Sequence, residues 1–241
     1  MCQECLTLSP LSRRTFLRGA TSIALSAGAL SWAGQAAATT NPSPAQSPDQ
    51  VMKDLAAGNA RHVRGVQTCT DFLANRAALA KGQHPVAIVL ACADSRVAPE
   101  YVFDQAPGRL FIIRVAGNFV DEEGLASMEY AVEHLGVPVI VVLGHSSCGA
   151  LTAAVAVEQK HETLPGHLPA LVEHLSVPVR TALTAAPADH VAAAIRQNVV
   201  YSMERLAKER SLVSSAVAEG KGRIAGGVYD LATGEVAFMG S

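Results

Sequence analysis

Two short stretches, "CADSR" and "HSSCG", hold side chains that can bind a metal or move a proton. In the first, Cys92, Asp94 and Arg96 stand on alternate positions. They follow an apolar run, Val86 to Ala91, of the kind that makes a short strand buried on both faces. In the second, His145 and Cys148 are three apart, after a second apolar run and Gly144. Two thiolates and one imidazole suit Zn²⁺, which takes sulfur and nitrogen ligands tetrahedrally. Three protein ligands leave a fourth position open, the mark of catalytic rather than structural zinc. A pattern of two Cys-x-x-Cys pairs, as a common structural site has, does not occur. A disulfide between Cys92 and Cys148 is the competing reading, and it gains weight if the chain is exported. Taken singly, each cysteine is a small buried hydrophobe and the histidine a hydrogen-bonded strand end. Those readings leave the grouping of all five residues without a reason.

Asp94 has two places to go. It can close the metal site as a fourth ligand, or a bidentate pair with Arg96 can hold it back. Held back, it accepts a hydrogen bond from a zinc-bound hydroxide and aims the oxygen lone pair at a substrate. A plain surface ion pair would contribute roughly 0–1 kcal/mol and has no cause to sit directly after a ligand.

The elements that must deliver these residues alternate along the chain. Ser47-Pro48-Asp49 opens a helix that continues through "QVMKDLAAGNARHV", and "TDFLANRAALAKG" predicts a second ending at Gly82. Strands are expected at Val86 to Ala91, Leu110 to Val115 and Val139 to Leu143, with a helix from about Glu123 to Leu135. After Cys148 the chain turns helical, Pro165 and Pro169 punctuate the next segment, and Ala188 to Arg210 predicts one or two more helices. "RIAGGVYDLATGEVAFM" predicts a β-hairpin around Thr233-Gly234. The pattern is that of an α/β fold: a mostly parallel central sheet covered by helices, with a C-terminal β-hairpin. Sites in such folds lie beyond the carboxyl ends of the strands, which puts Cys92 and His145 at one sheet edge.

Composition limits the function classes. The chain is 49% hydrophobic and 17% charged with net charge −2, and no basic stripe invites nucleic acid. The first forty residues differ. Arg13-Arg14, then Phe16-Leu17-Arg18, an apolar stretch from Gly19 to Trp32 and Ala36-Ala37-Ala38 resemble a twin-arginine export signal covering residues 1–38. The competing reading is a disordered basic arm with an Ala-rich helix. The apolar stretch is too short and too rich in small residues for a stable membrane span. A Pro/Ser-rich linker comes next at residues 39–50, and the catalytic domain is expected at 51–241. Processing after Ala38 would send the protein to the periplasm or outside the cell, and would leave Cys69, Cys92 and Cys148. An odd count of cysteines in an exported chain means that some have work other than disulfides.

"CADSRV" followed by "HSSCGA" resembles the β-class carbonic anhydrases, from about Val51 to the C-terminus. The resemblance implies one Zn²⁺ per subunit on Cys92, His145 and Cys148, with Asp94 and Arg96 as the orienting dyad and Asp94 on the metal only in a closed form. It implies that Gln83 hydrogen-bonds substrate, typically from a neighbouring subunit, that Phe111 and Tyr130 wall the pocket, and that the Gly149 N–H is an oxyanion donor. The activity implied is reversible hydration of CO₂ to bicarbonate and a proton, by zinc-hydroxide attack, in a homodimer or homotetramer with the active site at the subunit interface. Val89 stands where members gated by bicarbonate carry tryptophan, so an ungated enzyme is expected. His84 is near in sequence but reads as a surface residue rather than a proton shuttle. The alternatives are a COS or CS₂ hydrolase on the same fold and a non-catalytic zinc or thiol redox protein.

Overall fold

A computed structural model describes residues 46–68 and 72–239; the expected export signal and Cys69 lie outside the described residues. The described chain is one compact unit. Its elements are α1 (Pro48–Val63), α2 (Phe72–Leu79), β1 (Ala87–Ala91), α3 (Pro99–Val102), β2 (Leu110–Arg114), α4 (Glu122–Leu135) and β3 (Val139–His145). Then come α5 (Gly149–Lys160), α6 (Leu168–Thr184), α7 (His190–Lys208), α8 (Leu212–Ala218), β4 (Arg223–Tyr229) and β5 (Val236–Met239). The five strands form one sheet in the order β2-β1-β3-β4-β5. The first four are parallel, and β5 returns antiparallel to β4 as the expected hairpin.

Alternation along β1 explains why its sequence is continuously apolar. Ala87, Val89 and Ala91 face a cluster with Val51 and Leu55 of α1 and Phe103. Ile88 and Leu90 face the opposite cluster, with Met128 of α4, Val199 of α7 and Val213 of α8. Both faces are covered, so every β1 residue is buried. Each large aliphatic side chain enclosed in this way contributes about 1.5–3 kcal/mol.

Helix α1 begins where Ser47 caps it, its side chain accepting from Gln50 N–H, with Pro48 pre-set in the first turn. It then comes close to α3. A Cβ on Gly58 would lie 1.8 Å from the Phe103 carbonyl oxygen, so only glycine permits the approach. The adjacent Asn59 is 5% exposed and fully used. Its amide donates to the Val102 and Gly234 carbonyls, and its oxygen accepts from Val236 N–H. One side chain thereby ties α1 to α3 and to the hairpin.

Two differences from the sequence pattern stand out, at α6 and at the end of β3, and the segment expected to hold one or two helices holds one. Proline-punctuated chain after residue 165 forms α6, because Pro169 sits in the first turn, where its missing N–H costs nothing. Pro178 lies inside that helix on its buried face. Residues 190–208 make one unbroken helix, capped by the Asp189 side chain on Ala192 N–H. Strand β3 runs two residues beyond Leu143, so His145 is its last residue.

Candidate metal centre

The centre is built at the carboxyl ends of β1 and β3. These strands pair in register, with Ala91 opposite Leu143. The residues just beyond that pair, Cys92 and then His145, therefore emerge at one edge of the sheet. Gly144 is required on the way to His145, since a Cβ there would come within 2.8 Å of Val199 on α7. Ser147 takes a left-handed conformation at φ 56°, and Cys148 becomes the N-cap of α5. That turn sends the chain back from strand to helix. Its place is fixed by Ser146, whose N–H donates to the Tyr229 carbonyl and whose hydroxyl accepts from Leu231 N–H.

Cys92, His145 and Cys148 are all buried, and their ligand atoms lie within 4.8 Å of one another. The two sulfurs are 4.0 Å apart. A disulfide needs about 2.05 Å, and both thiols are free. Two thiolates each about 2.3 Å from a tetrahedral zinc would be about 3.8 Å apart, close to what is seen. His145 supplies the second test of fit. Its Nδ1–H donates to the Ser146 carbonyl at 2.9 Å, which leaves the Nε2 lone pair free. That nitrogen is wholly buried and has no hydrogen-bond partner. A buried acceptor left bare costs about 1–3 kcal/mol unless something fills it. A divalent cation between the two sulfurs would do so.

Charge in the cluster is arranged to match. The Cys148 thiol, held close to Cys92, donates to it and lowers the Cys92 pKa against the opposing effect of burial; His145 and the Gly117 N–H add to this. Cys148 shifts upward, because its neighbour favours keeping that proton and burial acts in the same sense. For His145, burial disfavours charge, but the Cys92 thiolate outweighs it and the pKa rises. The cluster thus holds a proton that a divalent cation can displace.

Asp94 is in the held-back arrangement. Arg96 donates to it from Nε (2.9 Å), from Nη2 (2.7 Å) and from its own backbone N–H (2.9 Å). These hydrogen bonds keep the carboxyl well below the usual carboxylate range. Asp94 Oδ2 nevertheless stands 3.9 Å from His145 Nε2, beside the space a metal would occupy.

The other sequence-derived site residues divide. Gly149 opens α5 directly after a ligand, and nothing lies within 4 Å of where its Cβ would be. Gln83 and His84 are exposed and precede β1, at the end of that strand opposite Cys92. Phe111 pairs with Ile88, four residues before Cys92, and its ring lies 6.4 Å from that of Tyr130 on α4. A single chain does not bring Gln83, Phe111 or Tyr130 to the three ligands. Val89 is fully buried in the α1 cluster. Two contributors escaped the sequence reading. Arg114, the charged end of "LFIIR", donates to the carbonyls of Cys92 (2.9 Å) and Asp94 (2.6 Å). Gly117 donates its N–H to Cys92 Sγ at 3.3 Å. The only signal was position: Arg114 ends a strand-like run and Gly117 follows it.

Fold and site together define an α/β protein with a Cys-His-Cys group at a sheet edge that could hold a metal ion. The family model described as carbonic anhydrase matches residues 87–236. A carbonic anhydrase of Mycolicibacterium smegmatis is 37% identical over 194 residues, covering 80% of this chain and 94% of the relative. Carbonic anhydrase 2 of Mycobacterium tuberculosis is 49% identical over 124 residues; that match spans 51% of this chain and 59% of the relative's length. Among solved structures, one from a study of two tetrameric beta-carbonic anhydrases of the ascomycete Sordaria macrospora superposes with a TM-score of 0.63 at 27% identity. It covers 80% of this chain and 98% of that one. The chain belongs to the carbonic anhydrase family, in its β class.

Loss of one sulfur leaves a two-ligand site. Changes in the groups behind metal ligands typically cost 10- to 100-fold in affinity, so loss of a ligand costs more. Cys148→Ser is expected to lose zinc on dialysis against a weak chelator, read by metal analysis. Full occupancy in that variant would contradict the ligand set.

Proposed function

We propose that this chain, with one Zn²⁺ per subunit, catalyses the reversible hydration of CO₂ to bicarbonate and a proton. The observation that carries the reading is the bare, buried His145 Nε2 between two free thiols, with Asp94 clamped beside it. Zinc bound there supplies a Lewis acid that acidifies a water. Cys92, His145 and Cys148 hold the ion. Asp94 would accept a hydrogen bond from the oxygen that attacks CO₂ and turn its lone pair toward the carbon. Arg96 would hold Asp94 back from the metal, and the Gly149 N–H at the start of α5 would support the charge that grows on the product oxygen. The proton released passes to buffer. A thiol-redox role fits less well, because Cys92 and Cys148 are 4% and 1% exposed.

We also infer a homodimer or homotetramer in which a second copy brings Gln83, and with it the apolar wall of Phe111 and Tyr130, to each metal centre. The tetrameric relatives support this, as does the position of Gln83 at the far end of β1. Export remains a reading of residues 1–38. It explains why a buried thiol pair is best loaded with metal before it meets an oxidising compartment. Among the described residues no helix is long and apolar enough to cross a membrane. Changing Arg13-Arg14 to Lys-Lys is expected to leave zinc-loaded precursor inside the cell, seen by fractionation; unchanged export would refute the twin-arginine route.

Stopped-flow CO₂ hydration tests the activity. Because the Asp94 pKa is lowered, the Arg96 pair is fully formed above the unfolded carboxyl's ordinary value and is lost only as pH falls through the depressed one. It therefore persists across the neutral and mildly alkaline range of the assay. Two thiolate ligands would make the bound water less acidic than histidines would, so kcat/KM is expected to rise through neutral pH as one shallow titration, indifferent to added bicarbonate beyond product inhibition. Arg96→Ala is expected to keep zinc and lose about 100-fold in kcat, because Asp94 is no longer aimed. An inactive zinc-loaded protein would refute the activity. A steep multi-proton loss at acid pH would refute the ungated reading of Val89.

A further inference from the structure

Helix α7 carries an amide where its pattern asks for an aliphatic side chain. Asn198 is 1% exposed, and its buried neighbours on the helix are Ala194, Ile195, Val199, Ser202 and Leu206. Taking an amide out of water costs free energy unless its hydrogen bonds are replaced. Asn198 has one such replacement: its Nδ2 donates to the Gly117 carbonyl at 2.8 Å, across 81 residues of sequence. Its Oδ1 has none. A side chain with so little local return is better understood through what Gly117 does.

Gly117 joins two peptide groups that are both held. The carbonyl on one side accepts from Asn198, and the N–H on the other donates to Cys92 Sγ at 3.3 Å. The glycine itself has φ +88°, where side chains are strained. A Cβ there would lie 2.9 Å from Leu175 of α6 and 3.3 Å from Ala150 of α5. The loop is pressed by α5 and α6 and tethered by α7. The next residue, Asn118, is also left-handed at φ 39°, and its N–H closes the turn on the Val115 carbonyl. The Val115 carbonyl closes the turn from within, and Asn198 holds it from α7.

We propose that Asn198 is a positioning residue for the metal centre: by fixing the Gly117 carbonyl, it holds the Gly117 N–H on the sulfur of Cys92. The N–H occupies one lone-pair direction of the thiolate and draws off part of its charge. The remaining directions toward the cation are then fixed, and a site with two thiolates keeps more of the metal's Lewis acidity. Asn198 touches neither metal nor substrate, and the inference rests on Cys92, His145 and Cys148 being the metal ligands.

The test uses the full-length protein loaded with cobalt(II) for absorption and with ¹¹³Cd for NMR. The wild type is expected to show sulfur-to-cobalt charge transfer and a coupling between ¹¹³Cd and the Gly117 amide proton, carried through the N–H···S bond. In Asn198→Ala and in the milder Asn198→Ser, that coupling is expected to weaken or vanish. The charge-transfer band should move to lower energy, and zinc affinity should fall about 10- to 100-fold. A fall in thermal stability with band, coupling and affinity unmoved would make Asn198 a purely structural residue and overturn the proposal. Absence of the Gly117 coupling in wild-type protein that does show charge transfer would overturn it whatever the variants do. No charge transfer in the wild type would remove the metal centre itself, and this inference with it.

Discussion

Parallel pairing of β1 with β3 is the constraint on which the rest depends. Ala91 opposite Leu143 sets Cys92 and His145 at one edge, although they are 53 positions apart in sequence. A slip of one residue would turn every β1 side chain to the other face. It would take Val89 out of the α1 cluster and carry Cys92 away from Cys148. The register is defended by burial on both faces of β1. The same burial that stabilises the sheet therefore holds the ligand geometry, and no flexible loop has to find it.

The second requirement is electrostatic. Two sulfurs and a carboxylate converge in a space largely closed to water, an arrangement that costs free energy unless positive groups face it. Arg96 meets Asp94 with three hydrogen bonds, and Arg114 takes the carbonyls of Cys92 and Asp94. Backbone N–H groups at Gly117 and at the start of α5 add fixed partial charges. A divalent cation would complete the set. Under the proposed function, Asp94 is kept ionised and close, and Arg96 keeps it from closing the centre.

Much of this was legible in the sequence, for identifiable reasons. The strands showed as apolar runs because both faces are covered. The candidate ligands showed because cysteine and histidine stand at or just past strand ends, where a buried run has no use for them. Helix α6 was obscured by Pro165, Pro169 and Pro178, since tolerance for proline in a first turn or on a packed face depends on tertiary context. Arg114 and Asn198 were invisible because each acts on a backbone carbonyl, and such a contact leaves no pattern in spacing. Gln83, Phe111 and Tyr130 show a different limit. Phe111 pairs with Ile88, four residues before Cys92, and its ring lies against Tyr130, so the roles that the family resemblance implies for them rest on the proposed second copy.

The central claim is that Cys92, His145 and Cys148 form one metal centre with Asp94 held off it. X-ray absorption at the zinc edge, on wild-type protein and on Asp94→Asn, addresses this most directly. The account predicts two sulfurs at about 2.3 Å and two lighter atoms at about 2.0–2.1 Å, with the same shell in both proteins. A shell with fewer than two sulfurs would contradict the ligand set. Loss of a light-atom ligand in Asp94→Asn would show that Asp94 sits on the metal and that Arg96 does not hold it back.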